Sequence, residues 1–463
     1  MKYREMKTTK SKKTKVLFVS LGCDKNLIDS EEMLGALSDS AYLATNEEEE
    51  AKAAVVNTCC FIDDAKKESI DAILTLAEKK RSGSLKAIVV AGCLAQRYRE
   101  EILTEIPEVD AVVGTAAKDM IVKALDEALS RRKKKTQVFL QAGEEGTRRL
   151  KRAQTGSTHS AYLKIAEGCD KHCTYCVIPS VRGPYTSVPM ERVMEEAREL
   201  VRQGAKELIL IAQEVTRYGT DLYGEKKLPE LLNMLSLIKD LKWIRLLYCY
   251  PEEITQELID TMRDNKKVLH YIDMPIQHSE DRILKLMGRR TSGKDIERIV
   301  RRLRKEIPDI CIRTTLIAGF PTETEEEHER ELLFIRKMKF DRLGVFAYSR
   351  EDGTPAARLK PQIPSRTKKK RRDELMEAQQ EIAFRKAKKR RGTVLSAMVE
   401  GAIPEEDVYV CRTYLDAPEV DGLLFLSTEK SLESGDFLDV RITGAHGYDL
   451  IGEEDVKKNE SAQ

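Results

Sequence analysis

AYLKIAEGCDKHCTYC, residues 161–176, joins a strand-like run to a loop that holds three cysteines, Cys169, Cys173 and Cys176. The β-branched and alternating apolar residues before the first cysteine predict a β-strand. Five similar runs begin near residues 206, 243, 268, 310 and 342, and segments with helical periodicity separate them. Strands that alternate with helices predict an α/β fold with a parallel sheet, here a partial (β/α)6 barrel similar to a TIM barrel. Such barrels carry their chemistry at the strand C-termini, where this cysteine loop lies.

The spacing C-x3-C-x2-C is too tight for one face of a helix and fits a loop around one inorganic cluster. A zinc site is the alternative, but zinc knuckles usually occur in pairs and the chain has no second C-x2-C. His172 could complete a zinc site only by folding back beside Cys173. Three thiolates on a four-iron cluster leave one iron open, and an open position is typical of a catalytic metal site.

A second set of three cysteines, Cys23, Cys59 and Cys93, follows strand-like runs at residues 15–20, 53–57 and 87–91. The intervals of 36 and 34 residues are close to one strand plus one helix. Strand C-termini share one edge of an open parallel sheet, so these thiols are expected to converge there. Three unrelated buried thiols are the alternative, since free cysteine is common in cores. The cysteines expected to be core residues are Cys60, Cys249, Cys311 and Cys411.

The composition of the remaining segments predicts how the chain is divided into domains. Residues 131–157 are charged and poor in large apolar residues, which predicts a linker between an N-terminal α/β domain at 14–130 and the barrel domain at 158–388. The basic stretch at 366–391 predicts a helix, whose charges form either a solvated face or a binding surface. Five short strand-like runs within 389–456 predict a small five-stranded β-barrel of the oligonucleotide-binding type.

Composition excludes a membrane-spanning protein, because mean hydropathy is −0.45 and no apolar run approaches about 18 residues. The net charge of +2 does not indicate a polyanion binder. The basic first fifteen residues precede no signal-peptide core and are either a solvated tail or a contact to RNA or the ribosome. Ten cysteines without such a signal indicate a reducing compartment, so we expect a cytoplasmic protein with metal-binding or catalytic thiols.

The cysteine loop, with Tyr175 before its last cysteine and a six-unit barrel behind it, resembles the radical S-adenosylmethionine enzymes. The resemblance implies that its three cysteines hold a [4Fe–4S] cluster, and that the open iron chelates the amino and carboxylate groups of S-adenosylmethionine. It places Tyr175 near the adenine. Strand ends in LIAQE and IAGFP are expected against the cofactor, with ordinary barrel packing as the alternative. These strand-end residues are Gln213, Gly319, Phe320 and Pro321.

The three-domain arrangement from about residue 14 to residue 455 resembles the methylthiotransferases, whose small terminal barrel is a TRAM domain. The resemblance implies that Cys23, Cys59 and Cys93 hold a second [4Fe–4S] cluster, which delivers sulfur. One S-adenosylmethionine would donate a methyl group and a second would give the 5′-deoxyadenosyl radical that abstracts hydrogen. Implied partners are a flavodoxin- or ferredoxin-like electron donor and a sulfur source. Asp24 stands where proline is common and Cys60 where glycine is usual, which leaves open which thiol binds iron.

The family divides between enzymes for a tRNA adenosine and enzymes for an aspartate of small-subunit ribosomal protein twelve. LGCDKNLIDSE and AQEVTRYGTDLYG resemble the second branch. Residues 391–463 hold sixteen acidic and six basic residues, whereas RNA binding needs a cationic surface. This charge suits a basic protein partner, although it could also serve solubility. The predicted function is methylthiolation of the aspartate β-carbon; the alternatives are tRNA methylthiolation and a non-catalytic iron–sulfur carrier or RNA-binding scaffold.

Overall fold

The structure is a computed structural model that describes residues 13–130, 135–139, 151–404 and 406–455. Residue contacts divide it into two units. The N-terminal unit contains the described residues up to Thr155 together with Val177–Pro184, and the core unit contains Gly156–Cys176 and the described residues from Tyr185 onward. Residues 1–12 of the basic tail and most of the predicted linker, 131–134 and 140–150, lie outside the described residues.

The N-terminal unit is a six-stranded parallel sheet with helices between its strands. Its strands are β1 (Thr14–Ser20), β2 (Tyr42–Thr45), β3 (Ala53–Thr58), β4 (Ala87–Gly92), β5 (Ala111–Val113) and β6 (Thr136–Val138). Its helices are α1 (Asp24–Ser38), α2 (Asp63–Arg81), α3 (Cys93–Glu105), α4 (Ile121–Leu129) and α5 (Ile178–Arg182). The strand order β2-β1-β3-β4-β5-β6 places β2 and β3 on opposite sides of β1. Ligands of open parallel sheets bind beside such a switch in strand order.

The centre of this sheet is formed by β3 and β4, in which every residue is buried. Continuous small and β-branched runs such as AIVVAG are expected where helices cover both faces of a parallel sheet. The predicted strands β1, β3 and β4 are therefore confirmed. The short strands β2, β5 and β6 were not predicted, and β6 lies within the range assigned to a linker. Strands of three or four residues give too few positions for a periodic pattern.

The core unit contains a second six-stranded parallel sheet, in which strands adjacent in the sheet follow one another along the chain. Its strands are β7 (Ser160–Lys164), β10 (Glu207–Ile211), β11 (Trp243–Leu246), β12 (Val268–Asp273), β13 (Cys311–Ala318) and β14 (Arg342–Ala347), and a separate two-stranded ladder is formed by β8 (Ala166–Glu167) and β9 (Thr186–Ser187). The helices are α6 (Met190–Arg202), α7 (Thr220–Tyr223), α8 (Leu228–Ser236), α9 (Gln256–Asp264), α10 (Asp281–Leu286), α11 (Gly293–Glu306), α12 (Glu325–Met338) and α13 (Ser365–Lys389). This arrangement confirms the predicted six-unit partial barrel.

The chain ends in a closed five-stranded barrel of order β15-β16-β17-β19-β18, as predicted. Its strands are β15 (Val394–Ala402), β16 (Val408–Thr413), β17 (Leu424–Ser427), β18 (Phe437–His446) and β19 (Asp449–Glu454). The basic helix α13 precedes it and buries Leu375 and Ile382 in the main core, whereas Lys369, Lys370, Lys388 and Lys389 are exposed. No helix within the described ranges is both long and apolar enough to cross a membrane.

A buried ion-pair network fastens this barrel to the parallel sheet. Glu207, the first residue of β10, is fully buried and accepts hydrogen bonds from Arg245 of β11 at 2.7 Å and Arg412 of β16 at 2.6 Å. Burial by itself would raise the pKa of the Glu207 carboxyl, but the two guanidinium groups lower it to about 2. The carboxylate therefore stays ionised inside the junction.

Candidate active site

The cysteines of the N-terminal unit lie at the carboxyl ends of three neighbouring strands. Strand pairing aligns Ser20 of β1 with Asn57 of β3, and Asn57 with Ala91 of β4. Cys23 lies three residues beyond this row, and Cys59 and Cys93 lie two residues beyond it. Neighbouring strands are about 4.8 Å apart, so the strand ends that carry the three thiols converge at one edge, beside the β1–β3 switch. The predicted convergence is confirmed, and the ligand role of the thiols stays a prediction.

Asn26, in the first turn of α1, ties the three strand ends together. Its side-chain Nδ2 donates to the carbonyl of Leu21 and to the carbonyl of Thr58, both at 2.9 Å. Its Oδ1 therefore points the other way, where the Cys93 thiol lies 3.6 Å from it. One buried amide thus touches the turn before Cys23, the end of β3 before Cys59, and Cys93 itself.

A buried guanidinium completes this edge of the sheet. Arg182, at the end of α5, is 5% exposed and lies 3.4 Å from the Sγ of Cys93. The same nitrogen donates to Oδ1 of Asn26 at 2.5 Å. The other terminal nitrogen donates to Asp29 of α1 at 2.7 Å, and the Lys118 amino group lies 3.4 Å from that carboxylate.

Two opposing effects act on these thiols. Burial raises the pKa of the Cys59 and Cys93 thiols, whereas the Arg182 guanidinium acts to lower both. Cys93 is the first residue of α3, so it lies at a helix N-terminus, whose partial positive charge also favours a thiolate. Arg182 and the N-terminus of α3 thus oppose the effect of burial on the Cys93 thiol.

The loop with the other three cysteines follows β8 in the core unit. His172 has a positive φ of 50°, which turns the chain between the first and second cysteine. The next turn is anchored at Thr174, whose N–H and hydroxyl donate to the carbonyls of Met287 and Leu286 at 2.9 and 2.7 Å. The Cys176 N–H donates to the Cys173 carbonyl at 3.0 Å, which closes a tight turn. The spacing therefore forms a loop, as predicted.

Aromatic and cationic side chains border this loop. The Tyr250 hydroxyl lies 4.0 Å from the Sγ of Cys173. The guanidinium of Arg289 lies 4.2 Å from the centre of the Tyr250 ring, a cation–π distance. Arg289 is 8% exposed and donates to the Pro275 carbonyl at 2.9 Å, while its Nε has no hydrogen-bond partner within the described part of the chain. A buried cation with an unused donor is suited to an anionic ligand group.

The acidic residue Glu214 contacts the cysteine loop through Lys171. Glu214 is fully buried, and its carboxylate lies 3.6 Å from the Lys171 amino group. Lys171 also donates to Glu253 at 2.5 Å. Burial raises the pKa of Glu214 to about 7, although Lys171 opposes the shift. A carboxyl that is half protonated near neutral pH is common in functional sites.

The residues predicted to contact S-adenosylmethionine fall into two places. Tyr175 packs in one apolar cluster with Phe320 and Tyr348, whose rings meet edge to face at 5.4 Å. Gly319 has φ +71°, and a Cβ there would lie 2.6 Å from a side-chain carbon of Lys368, so only glycine fits. Pro321 is buried beside them.

Gln213 lies outside that cluster, two residues beyond β10. Its Nε2 donates to Oε1 of Glu167 at 2.6 Å, two residues before Cys169. Its Oε1 is buried and has no hydrogen-bond partner among the residues that the structure covers. The structure thus brings Tyr175 and the IAGFP stretch together and leaves Gln213 near the start of the cysteine loop, with one acceptor unused.

Comparison with known proteins gives matches to three families. Residues 15–114 match the uncharacterized protein family UPF0004, residues 163–335 match the radical SAM superfamily, and residues 392–454 match the TRAM domain. The ribosomal protein uS12 methylthiotransferase RimO of Lachnoclostridium phytofermentans is 55% identical over 438 residues, which are 95% of this chain and 99% of that protein. The protein of that name from Acetivibrio thermocellus is 49% identical over 446 residues, 95% of this chain and 98% of the relative. The chain belongs to the uS12 methylthiotransferase family.

Membership of the uS12 methylthiotransferases confirms the predicted class, a radical SAM methylthiotransferase. The UPF0004 match spans the first set of three cysteines, and the radical SAM match spans the second. Among solved structures, the radical S-adenosylmethionine methyltransferase TsrM from Kitasatospora setae has a TM-score of 0.54 and 15% identity over 74% of each chain, a likeness of fold.

The residues present fit the groups that this family implies. Gln213 Oε1 and Arg289 Nε are an unused buried acceptor and donor of the core unit, and the apolar cluster around Phe320 suits an aromatic base. Within the described ranges, no three His, Cys, Asp or Glu side chains are grouped to hold a single metal ion. This does not bear on a four-iron cluster, because each thiolate there binds a different iron and the thiolates need not surround one ion.

Sequence reasoning missed Asn26 and Arg182 beside the cysteines of the N-terminal unit, and Arg289 beside the cysteine loop of the core unit. Asn26 lies in LGCDKNLIDSE, a stretch that indicates only a family resemblance, and Arg182 lies six residues after Cys176. The two are 156 residues apart in the chain, and no local pattern predicts their contact. Arg289 follows a short helix, in a sequence whose charged residues are typical of a solvated surface.

Proposed function

We propose that this enzyme transfers a methylthio group to the β-carbon of an aspartate in small-subunit ribosomal protein uS12. The observation that carries the proposal is 55% identity over 95% of the chain to a protein named for uS12 methylthiotransfer. The two sets of cysteines support it, since sulfur insertion into a carbon–hydrogen bond needs both a radical source and a sulfur carrier. Ten cysteines fit action in the reducing cytoplasm.

We assign two [4Fe–4S] clusters, each with one iron left open for a ligand. The proposed ligands are Cys23, Cys59 and Cys93 for the auxiliary cluster and Cys169, Cys173 and Cys176 for the radical cluster. When bound, these clusters and S-adenosylmethionine supply a carbon-centred radical, a methyl group and the transferred sulfur. The protein provides binding, orientation and exclusion of water.

The chain's own residues have distinct roles in binding S-adenosylmethionine. The cluster of Tyr175, Phe320 and Tyr348 offers an apolar wall for the adenine. Gly319 and Pro321 form the buried turn that supports this wall. The unused Oε1 of Gln213 is an acceptor for the amino group, and its Nε2 bond to Glu167 fixes the amide orientation. Cofactor electron transfer requires an electron donor, and turnover requires a sulfur source, both from outside this chain.

The C-terminal barrel supports a basic protein as substrate. Several of its acids are used inside the protein: Asp416 pairs with Arg342, and Glu400 pairs with Arg412 at 2.7 Å. Others remain exposed and give the barrel an anionic surface: Glu406, Asp407, Glu419, Glu429, Glu433, Asp436 and Glu453. Such a surface attracts a cationic protein and disfavours the phosphates of tRNA.

The test is anaerobic incubation of the reconstituted enzyme with purified uS12, S-adenosylmethionine, reductant and sulfide, followed by peptide mass analysis. One methylthio group on an aspartate-containing peptide is expected. Cys173→Ala should abolish the product, whereas Cys411→Ala, which removes a buried thiol of the C-terminal barrel, should retain it. Unmodified uS12 beside methylthiolated tRNA would refute the proposed substrate. Iron binding without cleavage of S-adenosylmethionine would instead indicate a non-catalytic carrier.

A further inference from the structure

Arg182 has surroundings that a purely structural arginine does not need. Its guanidinium is buried and divides its hydrogen bonds between an acid, an amide and a cysteine sulfur. Asp29 takes one terminal nitrogen at 2.7 Å, and the other terminal nitrogen faces the edge of the sheet, with Cys93 at 3.4 Å. A nitrogen–sulfur distance of this size is within hydrogen-bonding range for a charged sulfur.

The segment that carries Arg182 belongs to the N-terminal unit by its packing. Val177 and Val181 are buried in the apolar cluster that also contains Cys93. The Thr115 hydroxyl donates to the Val181 carbonyl at 2.8 Å. Helix α5 is thus held in place independently of the guanidinium, so Arg182 is aimed at the thiols by a rigid support.

We propose that Arg182 is a positioning residue whose positive charge compensates the negative charge of an iron–sulfur cluster held by Cys23, Cys59 and Cys93. This inference rests on the cluster assignment made under the proposed function. Cys59 and Cys93 are buried, so solvent screens the negative charge of their thiolates only weakly, and a cation in contact with Cys93 stabilises the added electron of the reduced cluster. The same cation favours an anionic sulfur ligand.

The charges around Arg182 predict the direction of two opposite effects. Removing the guanidinium leaves the cluster less compensated, so Arg182→Gln should lower the midpoint potential. Removing the acid on its far side leaves Arg182 and Lys118 less neutralised, so Asp29→Asn should raise that potential. A residue that only stabilises packing would not give shifts of opposite sign from two partners in one ion pair.

The experiment uses full-length protein in which Cys169, Cys173 and Cys176 are replaced by alanine, so that any cluster bound is the auxiliary one. Reconstituted protein is titrated with reductant under anaerobic conditions and followed by electron paramagnetic resonance. Arg182→Gln is expected to change the reduction equilibrium at least about tenfold, which is 59 mV for one electron. Arg99→Gln removes one positive charge from the same unit, where Arg99 stacks on Phe139 at 4.3 Å, and is the matched control.

The outcomes test the cluster assignment and the role of Arg182 separately. A triple-alanine parent that binds no iron would refute the cluster assignment itself. A parent that binds iron, with Arg182→Gln shifted no more than Arg99→Gln or with Asp29→Asn shifted in the same direction, would refute the role of Arg182 alone. If Arg182→Gln fails to fold, the proposal is tested by Asp29→Asn alone. The midpoint potential of that variant should rise, and an unchanged potential refutes the proposal.

Discussion

Replacing Glu207 with glutamine is expected to destabilise the junction between the parallel sheet and the C-terminal barrel by about 3 kcal/mol. Glu207 is fully buried and contacts two arginines, one from each side of that junction. The substitution keeps the shape of the side chain and removes its charge. Arg245 and Arg412 then remain buried with one counter-charge fewer, which is the costly state for an ion pair.

The magnitude follows from the ionisation of Glu207. Its pKa falls from 4.5 to about 2 on folding because the two guanidinium groups outweigh burial. At about 1.4 kcal/mol per pKa unit, the shift corresponds to roughly 3 kcal/mol of folding free energy. Since the folded pKa is depressed, this stability is present above about pH 4.5 and is lost as pH falls toward 2.

The chain supplies its own reporter for this junction. Trp243 is the single tryptophan, and its ring meets Phe437 of β18 edge to face at 4.8 Å. Urea unfolding of the apoprotein, followed by tryptophan fluorescence, should show a lower midpoint for Glu207→Gln near neutral pH. The difference from wild type should shrink in acid. Glu199→Gln removes an exposed partner of Arg202 and should leave the midpoint unchanged. A Glu207→Gln midpoint equal to that control, or a difference that is independent of pH, would contradict the reasoning.

Two further predictions concern cofactor binding. Cys59→Ala is expected to halve the iron content of reconstituted protein. Cys60→Ala, at a buried position in the apolar core, should retain all of the iron. Equal losses of iron in the two variants would show that the ligand is misassigned. Gly319→Ala is expected to weaken S-adenosylmethionine binding about tenfold in a calorimetric titration, because the new methyl group collides with Lys368. Gly353→Ala, also at positive φ but with open space around it, should bind normally, and equal affinities would exclude the collision as the cause.

The order of elements was predictable because most strands here are long enough to give a clear pattern. The run ELILI of β10 is apolar at all but its first position, Glu207. From sequence alone, a charged residue at the start of a strand is expected to be exposed to solvent. Its burial depends on Arg412, 205 residues away, which no periodicity shows. Pairing between distant charges is a property of tertiary packing, so the junction with the barrel could not be predicted.

The cysteines were predictable for a different reason. Strand C-termini of a parallel sheet must meet at one edge, so a residue that follows each strand is placed by topology alone. The groups that surround these thiols come from elsewhere in the chain. Arg182 reaches Cys93 across 89 residues, and it arrives with a segment that sequence assigned to the barrel domain. Topology therefore predicted that the three thiols converge, whereas the charged groups around them required the structure.

The return of Val177–Pro184 to the N-terminal unit has a consequence for biosynthesis. During translation, residues up to Thr155 emerge first, yet the apolar cluster of that unit still lacks Val177 and Val181. Folding of this unit can be completed only after the chain has been extended past Cys176. A protein cut at the end of the linker should therefore expose apolar surface and aggregate, although it contains every strand of its sheet.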